Sequence, residues 1–341
     1  MRTRAISAEM ATVCVSVVIP TRNRPEFVVT AVASALEQNF ASLEVIVVVD
    51  GEDRPTREAL SGIADARLKV VNLEASMGGA EGRNAGVRAA RGEWIAFLDD
   101  DDEWLPHKLS RQMVTARQSA ALWPVISSRM IVRRPAYDSI APLRSYDAGR
   151  PLSEFLFCRK PLRDGPYAMQ TSTLMVRREM MLAVPFRSGL KRHQDWDWLL
   201  RAERVPGVEF RVVGEPLVIY HTGDARESVG RAQDWEFSMH WGAEMRGFFS
   251  AKAYAWFLAT ECASRAAKSR AGLKTYAEIL RRFVFDGRPS IGSAMAIAGF
   301  LGLPRSWRER AVLRASAQRR RDGALPVARR KAVQTTLGME L

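Results

Sequence analysis

This sequence holds few cysteines and keeps them apart. Its three, Cys14, Cys158 and Cys262, form no CxxC pair and no His/Cys cluster. That argues against a zinc site or a disulfide framework and fits a reducing cytosol. The first ten residues carry Arg2 and Arg4 but no apolar core, so a signal peptide is not expected. Long apolar runs are scarce as well. The segment Ile291 to Leu303 is thirteen mostly apolar residues, short of the ~20 needed for a membrane span. A P-loop is excluded, because no Gly-Lys-Ser/Thr occurs. A dinucleotide loop is excluded because Pro20-Thr21-Arg22-Asn23 stands where GxGxxG should follow the first strand.

What is present suits a soluble core. The 341 residues, 47% hydrophobic and 26% charged, fit one large domain or two smaller ones. The net charge of +13 is unevenly placed. From Arg305 to Lys331 there are ten Lys/Arg against only Glu309 and Asp322. Such a run attracts nucleic acid or anionic lipid, and composition does not choose between them.

The chain is organised around Trp94-Ile95-Ala96-Phe97-Leu98, an apolar run that reads as a buried strand ending in Asp99-Asp100-Asp101-Asp102. Four adjacent aspartates repel one another, and partly buried carboxylates cost free energy unless paired. A hard divalent cation would resolve that cost, and oxygen ligands suit Mg²⁺ or Mn²⁺. The plainer reading is a solvated acidic turn before a helix near Pro106. Val13 to Ile19, Leu43 to Val49, Leu68 to Leu73 and Met169 to Val176 read as further strands. Helical spacing follows in Phe27 to Gln38 and after Gly78. Strands alternating with helices predict an α/β fold with a doubly wound, mostly parallel sheet and flanking helices. Thr21, Asp50 and Asp99 to Asp102 then fall at strand ends on one rim, where open α/β sheets bind ligands.

These motifs resemble family 2 glycosyltransferases, which have the GT-A fold. Val15 to Pro25 looks like that family's first strand. Gly79 to Gly86 with Arg83-Asn84, Arg91-Gly92-Glu93, Phe97 to Asp102 and Pro106-His107-Lys108-Leu109 follow its order and spacing. The likeness covers about residues 13–225. It implies a metal-dependent, inverting transfer from a UDP-, GDP- or dTDP-sugar to a hydroxyl of a glycan or lipid-linked acceptor. It also implies that Asp99-Asp100-Asp101 is the DXD motif. Asp101, with Asp99, would hold Mg²⁺ or Mn²⁺, and His221 could reach the metal. Pro20, Thr21, Arg22, Asn23, Asp50, Arg83, Asn84, Asp99 and Asp100 would line the donor. Asp50-Gly51-Glu52-Asp53 departs from the family's usual Asp-Asp-Gly-Ser.

The same likeness makes Asp195 the catalytic base, with Gln194 in place of the usual glutamate. Read from the residues alone, Asp195 is a helix N-cap. Trp196 and Trp198 could stack on an acceptor sugar or pack a core, and Gln170 is placed with the acceptor. Pro135 to Pro166 reads as loop plus a short helix near Leu152 to Phe157, either an acceptor lid or an insertion without contacts. The expected layout is an extension over 1–12, a catalytic domain over 13–230 divided near 105, a helical basic extension over 231–331 and a tail beyond. Ile291 to Leu303 beside the basic run could lie in a bilayer interface or pack on the domain. The expected setting is cytoplasmic, peripheral at the inner face of the plasma membrane, in cell-surface polysaccharide synthesis with no nucleic-acid partner. A nucleotidyltransferase is disfavoured by the missing glycines at the first turn. A non-catalytic glycan- or membrane-binding relative is disfavoured by retention of both Asp101 and Asp195.

Overall fold

The computed structural model describes residues 13–135, 137–159, 168–222 and 234–302. Its first half alternates as read: β1 (Val15–Thr21), α1 (Pro25–Leu36), β2 (Leu43–Val49), α2 (Arg54–Ser61), β3 (Leu68–Asn72), α3 (Gly79–Ala89) and β4 (Trp94–Phe97). Strands β1, β2 and β4 are buried along their whole length. Such Val/Ile-rich runs suit a parallel sheet covered on both faces. Local chemistry starts the helices: Pro25 stands in the first turn of α1, and Asp53 caps α2 by accepting from the Thr56 N–H at 3.2 Å.

The chain continues through β5 (Glu103–Trp104), α4 (Lys108–Arg117), β6 (Trp123–Arg133), β7 (Asp138–Ala141), α5 (Leu152–Phe157), β8 (Met175–Arg177), α6 (Arg178–Ala183), α7 (Gln194–Ala202) and β9 (Val208–His221). The sheet order is β3-β2-β1-β4-β8-β6-β9-β5, with β7 paired to β6. The parallel set is β3-β2-β1-β4. Beyond it the sheet is mixed, because β8 joins β4 and β6 antiparallel while β6 and β9 run parallel. Two details differ from the sequence reading. The Pro135–Pro166 stretch contributes the edge strand β7, and the strand expected from Met169 is interrupted by a 3-10 turn at Thr171–Thr173 before β8.

Alternation along β1 sends Val17 and Ile19 to one face and Val18 to the other. The first face is covered by α1 and α4. On the second face, Val18, Ile46 and Phe97 share a core with Trp198 of α7 and with the helices after residue 233. Those are α8 (Trp235–Glu244), α9 (Ala251–Phe257), α10 (Ala263–Lys268), α11 (Leu273–Phe285) and α12 (Ile291–Gly302), with a π-helical turn at Leu258–Cys262 between α9 and α10. The expected helical extension is therefore present as far as 302. The boundary at 230, the basic run Arg305–Lys331 and the segments 1–12 and 332–341 lie outside the described residues. Among the described residues, no helix is long and apolar enough to cross a membrane.

Candidate active site

Parallel register builds the site. Thr21 pairs in register with Val49, and Val18 with Phe97, so the carboxyl ends of β1, β2 and β4 finish on one rim. There the Thr21 hydroxyl donates to Asp100 Oδ2 at 2.8 Å. A single guanidinium nitrogen of Arg24 lies 2.9 Å from Asp100 Oδ1 and 3.2 Å from Asp101 Oδ2. Asp99 pairs with the guanidinium of Arg83. Asp102 is turned inward, 1% exposed, accepting from the Ser172 hydroxyl at 2.6 Å and from the His221 N–H at 3.3 Å. Burial pushes Asp100 up to about 6. Burial, with repulsion from Asp101 and Asp99, raises Asp102 well above the usual carboxylate range.

Asp195 comes to the same rim from α7. Arg83, 8% exposed, is the link. One of its nitrogens meets Asp99 and another donates to Gln194 Oε1 at 2.9 Å. Gln194 is anchored in turn by donating to the Leu190 carbonyl at 2.7 Å. The Asp195 carboxyl accepts from the Trp196 N–H at 2.9 Å. Burial pushes it up to about 6; the Trp196 N–H and the Arg83 charge oppose that shift, and Asp99 adds to it. A raised carboxylate at such a rim is suited to proton transfer.

Residues 16–170 match the family described as Glycosyl transferase family 2. This chain carries a family 2 glycosyltransferase domain. The amylovoran biosynthesis glycosyltransferase AmsB of Erwinia amylovora is 29% identical over 241 residues, covering 68% of this chain and 77% of that one. WfgD of Escherichia coli, described as a UDP-Glc:alpha-D-GlcNAc-diphosphoundecaprenol beta-1,3-glucosyltransferase, is 34% identical over 99 residues, 29% of this chain and 39% of its own. The S. aureus TarS 1-349 structure in complex with UDP-GlcNAc superposes with a TM-score of 0.53 at 18% identity, covering 81% of this chain and 82% of that one. That likeness supports the fold. The chain is a glycosyltransferase.

Around this glycosyltransferase's rim the anticipated residues divide. Pro20, Thr21, Arg22, Asn23, Asp50, Arg83, Asp99, Asp100 and Asp101 gather on it. Asn23 sits in the left-handed region at φ 53, which asparagine tolerates, and its N–H donates to Asp53. Arg22 donates to the Ser76 hydroxyl. Asp50 is occupied in this structure, accepting from the Met77 and Gly78 N–H groups at 2.6 and 2.9 Å and from the Ser76 hydroxyl at 2.9 Å. It holds the turn into α3, where Gly78 has φ 84. Asn84 turns away, because its amide exchanges two hydrogen bonds with the Phe186 backbone at 2.8 and 3.0 Å.

Of the candidates on the metal and acceptor side, Trp198 is corrected, while His221 and Trp196 are found with protein partners. His221 Nε2 lies 2.6 Å from Glu103 Oε1. Trp198 is fully buried, with its indole N–H donating to the Val184 carbonyl at 2.8 Å, so it packs the core and offers no ring to a sugar. Trp196 is half-buried and stacked on His193 with centroids 4.8 Å apart, so one face is taken. Gln170 remains half-buried at the entry to the Thr171–Thr173 turn. The sequence reading missed Arg24 and Ser172 as site residues. Arg24 stood in the Val15–Pro25 stretch without a role, and Ser172 had no signal, since only tertiary packing brings it under Asp102.

The donor set also bears on the cation. Among the described residues, no three His, Cys, Asp or Glu side chains converge as a metal cage. A magnesium-type site needs only one or two carboxylates, with phosphate oxygens and waters completing the shell. Asp101, whose side chain is 22% exposed, and Asp99, 29% exposed, meet that need at a strand end. The residues fit a cation shared with a diphosphate.

Proposed function

We propose that this chain is a metal-dependent, inverting glycosyltransferase. It would move a sugar from a nucleoside-diphosphate donor to a hydroxyl of a glycan or lipid-linked acceptor, in polysaccharide synthesis at the inner membrane face. The observation that carries this reading is the Arg83 bridge. One buried guanidinium ties Asp99 of the acidic strand end to Gln194 beside Asp195, so donor carboxylates and a proton acceptor share one rim. Arg22, Arg24 and Arg83 give that rim positive charge suited to a diphosphate.

The roles follow from position. Asp101, with Asp99, would hold Mg²⁺ or Mn²⁺, and when bound that ion supplies Lewis-acid stabilisation of the departing diphosphate. Arg24, which bridges Asp100 and Asp101, would supply positive charge to the diphosphate. Thr21 keeps Asp100 oriented. Asp195 accepts the acceptor hydroxyl's proton at a carboxylate oxygen as the hydroxyl oxygen attacks the anomeric carbon. The attack comes from the face opposite the leaving group, so the configuration inverts in one displacement. A lipid-linked acceptor is favoured by the polyprenyl-diphosphate substrate in the name of WfgD and by the basic run Arg305–Lys331.

The test is a calorimetric and thermal-shift screen of UDP-, GDP- and dTDP-sugars, with and without Mn²⁺, on wild type and Asp101→Ala. A bound ligand stabilises the fold as RT ln(1 + [L]/Kd). Metal-dependent binding of one nucleotide-sugar, lost in the variant, is the expected result. Binding of none would overturn the donor assignment.

A further inference from the structure

Helix α12 leaves an apolar surface that this chain's described residues do not cover. Leu273 is 88% exposed, Phe285 77%, Ile291 84% and Met295 69%. Other exposed large apolar residues, such as Val114 and Leu143, are scattered singly, which is ordinary. Ile291 and Met295 lie one turn apart on α12, whereas Leu273 and Phe285 stand at the two ends of α11. Helix α12 has no charged residue from Ile291 to Gly302. Its Ser293 and Ile297 face inward, and Gly292 lies so close to Trp256 of α9 that a Cβ there would meet the ring at 2.9 Å. The opposite side carries Ile291, Ala294, Met295 and Ala298, all exposed. Those positions share one face by helical spacing. A helix apolar all round is normally covered on every side, and contiguous exposed apolar patches mark interaction surfaces.

We infer that this α12 face seats in the headgroup layer of an anionic membrane, with Ile291 and Met295 as its inserting side chains. Charge selects the occupant. Arg288 is exposed three residues before Ile291, with Asp286 the exposed acid beside it, and the Arg305–Lys331 run, with its ten basic residues, follows α12 in the sequence. An isologous pairing of two copies through this face would bring like charges together, which disfavours it. An anionic bilayer complements both the apolar face and its basic surround. The face is also tied to the site. Helices α9 and α12 belong to the same core as α8. On α8, the Trp241 indole donates to Asp197 at 3.1 Å, and the Ser238 hydroxyl meets His193 at 3.0 Å. These anchor the first turns of α7, where Asp195 sits. Docking would therefore fix the base at a set height over the bilayer. That consequence rests on the lipid-linked acceptor proposed above, whereas the docking itself does not.

The experiment is co-sedimentation of the full chain with vesicles of phosphatidylcholine, alone or mixed with phosphatidylglycerol, comparing wild type with I291E/M295E. Both positions are exposed, so the fold should persist, and a circular dichroism melt checks it. Met295→Ser serves if the double variant fails to fold. Wild type is expected to bind only the anionic vesicles, less at high salt. I291E/M295E should lose about tenfold or more in partitioning, as follows from removing buried methylenes from the interface. Equal partitioning of wild type and variant, or no binding of wild type to anionic vesicles, would overturn the inference. So would a concentration-dependent dimer that the double variant abolishes while wild type ignores vesicles. Nucleotide-sugar binding is measured on the same samples. Its absence would count against the functional reading and leave the vesicle result to decide this one.

Discussion

Asp195 and Asp197 lie two residues apart in α7, and the same substitution to asparagine should affect them in opposite ways. Asp197 is fully buried. Its carboxylate accepts from Arg187, from Arg201 at 2.8 Å and from the Trp241 indole at 3.1 Å. Removing one partner of a buried pair costs about 3–5 kcal/mol. Arg187 and Arg201 keep 31% and 24% of their side chains exposed, so water recovers part, and we expect about 2–3 kcal/mol for Asp197→Asn. With ~2.1 cal/mol/K of unfolding entropy per residue, that lowers Tm by about 3–4 °C. Asp195 is raised from an ordinary 3.8 to about 6 by burial. Because its folded value lies above its unfolded one, the ionised side chain destabilises the fold above pH 6, and this penalty vanishes below the unfolded value. At 1.36 kcal/mol per tenfold, Asp195→Asn removes a penalty of up to about 3 kcal/mol at neutral pH. Tm should hold or rise, while turnover drops by about 10²–10⁴ as the base is lost. Scanning fluorimetry and release of nucleoside diphosphate measure both quantities. The reasoning is refuted if Asp195→Asn lowers Tm as far as Asp197→Asn does, or keeps a rate within about tenfold of wild type.

The acid limb of kcat/KM should fall below about pH 6, because Asp195 works only when deprotonated; a profile flat to pH 5 would remove it as the base. Gly86→Ala should destabilise by about 1–3 kcal/mol despite alanine's better helix propensity, since its Cβ would stand 2.3 Å from Val18 Cγ1 on β1. A thermal melt reads this, and an unchanged or higher Tm would show that β1 and α3 are not in such close approach.

Much of the donor half was legible in the sequence because its information is local. Buried parallel strands are continuous Val/Ile runs, and a strand's end is marked by the residue that breaks the run. Thr21, Asp50 and Asp99 could therefore be put on one rim before any coordinates. The mixed half was less legible. Strand β8 is only three residues long and β7 four, too short for alternation to show, and their pairing is non-local.

Side-chain partners were beyond reach for a related reason. Whether Trp198 meets a sugar or the core depends on which face of α7 the helices after residue 233 cover. His221 meets Glu103 only because β5 and β9 pair with Glu103 opposite Ile219. The chain alone determined the alternation of strand and helix in its first half, the chemistry at those strand ends and the residue types able to bind a diphosphate. Tertiary structure alone decided that Arg83 bridges Asp99 and Gln194, positions 95 residues apart along the chain, since hydrogen bonds and burial depend on distances that sequence spacing does not carry.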